Sequence, residues 1–102
     1  MSVCIATIHA YGIAIDVNKE RYSDNGRLAL RLVEHKSREP FGSASVNIPN
    51  AQLAEGELLV KTWSENESIR KPLLDTGLFE DTGCRVPAGF CEAEVWTLKQ
   101  PL

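Results

Sequence analysis

The sequence predicts an α+β fold, mainly antiparallel β-sheet with about five to seven strands and one short helical insert near residues 64–77. Two observations predict this class. Several short stretches alternate apolar and polar residues, as half-buried strands do, and turn-forming residues separate them. One later stretch instead carries a helix-start pattern. The 102 residues are expected to form a single domain, 1–102, because this is the size of one ordinary domain.

The clearest local prediction is a β-hairpin between residues 13 and 34. Apolar residues recur at period two before and after a central turn: Ile13, Ile15 and Val17, then Leu28, Leu30 and Leu32. Asn25-Gly26 lies between the two stretches, and this pair tolerates the positive φ angles of a tight turn. Leucine favours helices, but the turn and the period-two pattern outweigh that propensity.

Further strands are predicted on both sides of this hairpin. The stretches with strand patterns are residues 3–10, 41–49, 57–63, 84–86 and 90–98. Turns are expected at 37–40, 80–83 and 87–89, where proline, glycine or small polar residues cluster. Residues 51–56 are expected to be a connection.

The helical insert is predicted from its ends. Ser64 and Glu67 have the spacing of a capping box, in which each side chain bonds the other residue's backbone amide. Pro72 is costly in a helix interior, so either the helix breaks near Lys71 or a second turn begins with Pro72 at its first position. Gly77 is the expected C-terminal cap.

The charge of the chain is unevenly distributed. Residues 1–50 carry six Lys or Arg against five acids, a balance of +1, and residues 51–102 carry five against nine, a balance of −4. No basic stripe of the kind that binds nucleic acid is visible, and an acidic patch repels phosphate and attracts basic protein surfaces. No apolar run approaches the roughly 18 residues of a membrane span. We therefore expect no direct nucleic-acid partner, no membrane contact and a cytoplasmic location.

No catalytic, cofactor or metal motif is recognisable in the sequence. Cys4, Cys84 and Cys91 are an odd number at irregular spacing, and His9 and His35 lie far from any Cys pair, so neither a disulfide framework nor a zinc site is expected. Phosphate-cradling glycine loops and a nucleophile elbow are absent from the sequence. We expect no cofactor and no enzymatic activity.

Five residues are the candidates for contact with a partner protein. Glu92, Glu94 and Trp96 share one face of the last predicted strand, and Glu65 and Glu67 lie in the first turn of the insert. An exposed tryptophan ringed by acids is typical of an interface hot spot. The alternatives are that the glutamates are merely solvated and that Trp96 belongs to the core or faces the helix.

Four phrases carry a resemblance to a known family. They are YSDNGRLA at residues 22–29, SVNIP at 45–49, VKTWSENE at 60–67 and VPAGF at 86–90. Together they resemble a small family of unknown function found on bacterial plasmids, phages and other mobile elements. The resemblance covers most of the chain, and its more specific parts are K-x-W-S-E-N and P-x-G-F. The family has no established activity, so the resemblance assigns no functional residue. It implies a genomic setting in which small acidic proteins often inhibit host defence, as anti-CRISPR proteins do.

These observations lead to one expected function and two alternatives. We expect a non-enzymatic, protein-binding inhibitor from a phage or mobile element, which blocks a host defence complex of CRISPR-Cas type by placing an acidic surface on its basic, nucleic-acid-binding face. The first alternative is a small thiol-dependent enzyme that modifies a host factor, with Cys91 or Cys84 as nucleophile. The second is a homodimeric accessory protein of a mobile element, paired through an uncovered sheet edge or face.

Overall fold

The structure is a computed structural model that describes residues 3–99. Its described residues form seven strands in two antiparallel sheets, with a short helical segment between the fifth and sixth strands. In chain order the strands are β1 (Val3–Ala10), β2 (Ile13–Arg21), β3 (Leu28–Glu34), β4 (Pro40–Ser43), β5 (Glu57–Val60), β6 (Phe79–Ala88) and β7 (Cys91–Leu98). This architecture confirms the predicted α+β class.

The first sheet has four strands in the order β1-β2-β3-β4. The predicted hairpin forms its centre, with Val17 opposite Leu32. Gly26, with φ +71°, takes the left-handed position that the Asn-Gly pair predicts. One face of the hairpin is buried, because every second residue points into the core: Ile15, Val17, Leu28, Leu30 and Leu32.

The fourth strand is shorter than the predicted stretch 41–49, and that prediction is corrected. β4 ends at Ser43, and the chain then crosses from the first sheet to the second. Ala44 accepts a hydrogen bond from the Lys61 amide at 2.8 Å, and Ser45 forms an isolated bridge with Val60. This crossover joins the two sheets along one side.

The second sheet has the order β5-β7-β6. The turn predicted at 80–83 is wrong, because these residues belong to one long strand with a bulge. The register with β7 shifts between Asp81 and Arg85, and Gly83 has φ +85°. A bulge of this kind uses the same glycine and polar residues as a turn, so the local pattern does not distinguish the two.

The helical segment is a 3₁₀ helix (Ser64–Ile69) that continues into α1 (Arg70–Asp75). The predicted capping box does not form: Trp63 is the N-cap and no side chain bonds there, and Ser64 has φ +59°. Both alternatives predicted for Pro72 are wrong, because α1 passes through Lys71 and Pro72 is its third residue. It is still in the first turn, where amides have no helical partner. The C-cap is Thr76, one residue before the predicted Gly77, and Gly77 follows it with φ +77°.

The main core lies between the two sheets and is closed by α1. Trp96 is fully buried there, its ring centroid 5.7 Å from that of Phe79, and Leu73 of α1 is equally buried. A smaller cluster lies on the outer face of the second sheet, where Leu59, Ala93 and Val95 are covered by residues 46–53 and Trp63. The second sheet is thus covered on both faces.

No helix in the part of the chain that the structure describes is both long enough and apolar enough to cross a membrane.

Candidate protein-binding site

Two of the five residues predicted to contact a partner are buried. Trp96 has no exposed surface and Glu94 is 8% exposed. The predicted exposed tryptophan ringed by acids is therefore wrong, and the alternative that Trp96 belongs to the core is confirmed. The alternation was right, since Glu92, Glu94 and Trp96 do share a face of β7. That face points toward the other sheet and α1, because the adjacent residues Ala93 and Val95 pack under the 46–53 loop.

Glu94 is not a surface acid and lies at the centre of a network of ion pairs. Arg70 Nε lies 3.0 Å from both carboxylate oxygens of Glu94, and Arg70 Nη2 donates to Asp81 at 2.9 Å. Arg85 donates to the Asp81 carboxylate at 3.1 and 3.3 Å. The Trp96 indole donates to Glu94 at 3.0 Å. Two arginines thus neutralise two carboxylates of the acidic half of the chain.

The network lowers the pKa of both carboxyl groups. Burial raises the pKa of Glu94, but hydrogen bonds from Arg70 and Trp96 and the charges of Arg70 and Arg85 outweigh burial. Burial also raises the pKa of Asp81, and it is outweighed by the hydrogen bonds from Arg85 and the Gly83 amide and by the charges of both arginines. Both side chains are held in the ionised form.

The other predicted contact residues lie at the surface or outside the description. Glu92 and Glu67 are exposed, whereas the side chain of Glu65 lies outside the part of the chain that the structure describes. Elsewhere in the acidic half, Asp75 pairs with Lys71 at 2.9 Å and Glu57 accepts from the Ala54 amide at 2.8 Å. The bases in these ion pairs are already counted in the balance of −4, so that balance is unchanged. Glu94, Asp81 and Asp75 are paired acids, and the other acids of this half carry its negative charge.

The most exposed apolar side chain among the described residues is at the tip of the β6–β7 hairpin. We define the hairpin tip as residues 87–92. Gly89 and Phe90 form its two-residue turn, and Gly89 has φ +69°, as the first position of a type II′ turn requires. Phe90 has a relative exposure of 110%, so its whole ring is in solvent. Pro87 and Glu92 on the two strands are also exposed.

The hairpin tip extends from a base that side-chain hydrogen bonds hold together. We call this base, residues 82–84 and 94–95 with Arg70, the braced base. Thr82 Oγ1 donates to the Val95 carbonyl at 2.7 Å and accepts from the Cys84 amide at 3.2 Å, which fixes the bulge of β6. The Arg70–Glu94 pair ties the middle of β7 to α1. The tip therefore projects from a part of the sheet in which side-chain hydrogen bonds join β6 to β7 and β7 to α1.

Sequence reasoning did not single out Phe90, because it placed this residue at the start of the last strand. The missed signal is the P-x-G-F phrase itself. A glycine between two strand patterns indicates a two-residue turn, and its partner residue then lies at the exposed tip.

The structure gives no contact that would activate a thiol. Cys84 is exposed and Cys91 is half-buried. Within residues 3–99, neither sulfur bonds to a histidine or any other base, and no group of three or more metal-ligating side chains occurs. The thiol-dependent enzyme stays an alternative without a supporting contact.

Comparisons with protein-family models, with curated protein sequences and with solved structures find no match for this chain.

Proposed function

We propose that the chain is a non-enzymatic protein-binding module that docks on a partner through the hairpin tip, with Phe90 as the anchor. The observation that carries the proposal is a fully exposed phenylalanine at the end of a braced hairpin. Isolated exposed apolar residues are common on protein surfaces, so exposure alone would not suffice. Here the whole ring projects from a two-residue turn, the geometry by which a side chain enters a pocket of another protein.

The energy available from docking is substantial for one residue. Burying a phenylalanine side chain is worth about 1.5–3 kcal/mol, roughly a tenfold to hundredfold change in affinity. The braced base lowers the entropy lost on binding, because the hairpin is ordered beforehand. Glu92, exposed beside Phe90, adds a negative charge that favours a basic rim around the partner's pocket.

We further propose that the partner is a basic, nucleic-acid-binding defence complex of a bacterial host, and that the chain is its inhibitor, encoded by a phage or mobile element and acting in the cytoplasm. This narrower proposal is supported by the resemblance of the four sequence phrases and by the exposed carboxylates Glu67 and Glu92. Glu94 and Trp96 take no part in it, since both are buried.

The test is a comparison of tagged variants as baits in a bacterial lysate, followed by quantitative mass spectrometry. Phe90→Ala is the test variant. Val3→Ala is the matched control, because Val3 is a 49% exposed apolar residue outside the hairpin tip. We expect at least one protein to be retained by the wild type and by Val3→Ala and to fall about tenfold or more with Phe90→Ala.

A second arm tests the charge and the inhibition. Glu92→Lys is expected to weaken capture of the same protein, and that protein is expected to be a basic nucleic-acid-binding component. Expression of the chain should then restore phage plaques on a strain with active CRISPR interference, and Phe90→Ala should not. If no captured protein depends on Phe90, docking through the hairpin tip is wrong. If capture depends on Phe90 but plaque numbers do not change, only the inhibitor proposal fails.

A further inference from the structure

The outermost strands of the two sheets differ in how their free edges are shielded. Proteins usually shield an edge with a short strand, proline, charged residues, a bulge or a covering segment, because its unpaired N–H and C=O groups can pair with another chain. β4 has only four residues and begins with Pro40. β6 contains a bulge, Pro87 and three charged residues. β5 is covered by the crossover, where the Lys61 amide donates to the Ala44 carbonyl at 2.8 Å.

Among the described strands, β1 is the outermost one that lacks such a shield. Its eight residues, VCIATIHA, include no lysine, arginine, aspartate, glutamate or proline. Its shift of register with β2 lies between Cys4 and Ala6, so residues 6–10 form a regular strand. A long, regular edge without charges is the kind of edge that takes up another strand.

The register of the first sheet shows which backbone groups of β1 face outward. The Ala14 carbonyl accepts a hydrogen bond from the His35 amide at 3.0 Å, so Ala14 of β2 faces β3. Successive residues of a strand direct their N–H and C=O groups to opposite sides, so the next residue of β2 faces β1, where it is paired with Ile8. The two neighbours of Ile8, Thr7 and His9, therefore direct their amides and carbonyls away from the sheet.

The outward amides and carbonyls of Thr7 and His9 are accessible. Both residues are exposed, and no residue within the range 3–99 bonds these backbone groups. The helix α1 packs on the core side of the sheet, since its Leu73 belongs to the same core cluster as Ile8. The Thr7 hydroxyl donates to Asp16 of the adjacent strand, so it does not cover the edge.

We propose that the chain forms a symmetric dimer in which β1 of one copy pairs antiparallel with β1 of a second copy. The two-fold axis lies beside Ile8, so that Thr7 of each copy lies opposite His9 of the other. Each of these pairs exchanges two N–H···O bonds, because the groups of both residues face outward. The first sheets of the two copies become one continuous sheet, and neither copy keeps a free β1 edge.

The composition of β1 favours its own copy over a different protein. A strand without charged residues meets no like charge when it pairs with itself, and it offers no charge that would select a complementary partner. In this register Ala6 lies opposite Ala10 of the second copy, and these small side chains leave room for the two backbones. Head-to-tail pairing with β4 of another copy is disfavoured, because β4 is short and begins with Pro40.

This pairing assigns a surface to the homodimeric alternative that the sequence raises. It is independent of docking through the hairpin tip, because the tip belongs to the second sheet. A dimer presents two copies of Phe90, so a partner with two suitably spaced pockets would be held more tightly than by one copy.

The first test measures mass and hydrogen exchange of the purified chain from about 10 µM to about 1 mM, the range in which weak interfaces dissociate. Light scattering should show the mass rising from that of one chain, 11.3 kDa, toward twice that value. At the highest concentration the Thr7 and His9 amides should exchange about tenfold more slowly than at the lowest. The Ala6 and Ile8 amides, which face β2, should not change and are the internal control.

The second test is His9→Pro, which removes the outward N–H and leaves the β1–β2 hydrogen bonds in place. It should weaken dimerisation about tenfold or more, because the dimer loses one hydrogen bond from each copy. His9→Ala is the matched control, since it keeps the amide and should weaken dimerisation less than about threefold. Circular dichroism checks that both variants are folded.

Three results would overturn the proposal. They are a mass of one chain at every concentration, a folded His9→Pro chain that dimerises as the wild type does, and concentration-dependent protection confined to another strand. If His9→Pro does not fold, the exchange of the Thr7 and His9 amides in the wild type decides. Loss of capture by Phe90→Ala without any change in mass would support the hairpin tip and leave the dimer to these results.

Discussion

The guanidinium of Arg70 lies across the carboxylate of Glu94, with Nε 3.0 Å from each oxygen. This pair joins α1 to the middle of β7, and the Trp96 indole donates to the same carboxylate. One glutamate therefore couples the helix, the central strand of the second sheet and the largest side chain of the core.

Glu94→Gln should destabilise the protein, because Arg70 and Arg85 lose the charge that they flank. We expect the free energy of unfolding to fall by about 2 kcal/mol, less than for a deeply buried pair since both arginines are partly exposed. Urea unfolding measures it. Lys71→Ala, which breaks an exposed pair with Asp75, is the control and should cost about 0.3–0.5 kcal/mol. Equal losses in both variants would contradict the central role of Glu94.

Stability should depend on pH through the same carboxylates. The pKa values of Glu94, Asp81 and Asp16 are lowered in the folded state, so their contribution is complete above the unfolded value of about 4. It is lost as the pH falls through the folded values, because folding then requires protons to be released. Urea midpoints should be level from about pH 7 to pH 5 and fall below pH 4. In Glu94→Gln the fall should be shallower.

Truncating two aromatic residues of the same hairpin should lower the free energy of unfolding by very different amounts. Trp96→Ala removes a fully buried side chain and should lower the free energy of unfolding by about 3–5 kcal/mol. Phe90→Ala removes a side chain wholly in solvent and should change it by less than about 0.5 kcal/mol. Thermal or urea unfolding distinguishes them. A strongly destabilised Phe90→Ala would mean that the ring is packed, and the hairpin tip would lose its anchor.

Arg27 should hold residues 46–53 in place over the outer face of the second sheet. Its guanidinium donates to the carbonyls of Ile48 at 2.8 Å and Pro49 at 3.3 Å, and also to that of Ala51. Arg27→Ala should lower stability by about 2 kcal/mol, because three acceptors lose a charged donor.

Hydrogen exchange provides the specific measurement for that variant. Amides of residues 46–53 should exchange faster in Arg27→Ala, and those of β2 and β3 should not. Arg21→Ala, which loses a single exposed bond to the Gly26 carbonyl, serves as the control and should leave both segments unchanged. Protection of 46–53 that survives the loss of Arg27 would show that apolar packing alone holds this loop.

The parts of the fold that could be predicted are those whose sequence pattern fits only one local structure. In the β2–β3 hairpin, alternation buries one face. Gly26 takes the left-handed conformation expected of the Asn-Gly pair, in a loop closed by the Tyr22 amide and the Arg27 carbonyl. The pattern at residues 80–83 fits two local structures, since glycine and threonine occur in bulges as well as in turns. The capping box did not form, because Ser64 has a left-handed backbone conformation from which its side chain does not cap the helix.

The direction of Trp96 was not predictable from alternation alone. Along β7 both faces carry residues that can be buried, Ala93 and Val95 on one and Trp96 on the other. A strand covered on both sides lacks the polar face that would show which way is out. The main partner of Glu94 is Arg70 of α1, 24 residues away in sequence, so the burial of Glu94 could not be inferred from the local sequence.

The position of β7 between β5 and β6 has a consequence for how the chain acquires its structure. During synthesis, β5 and β6 leave the ribosome before the strand that joins them exists. Until Trp96 has emerged, the apolar residues on β5, α1 and β6 have no central strand to pack against. A nascent chain at that stage exposes apolar surface to chaperones and proteases. Premature termination within β7 should therefore yield a degraded product, never a smaller working protein.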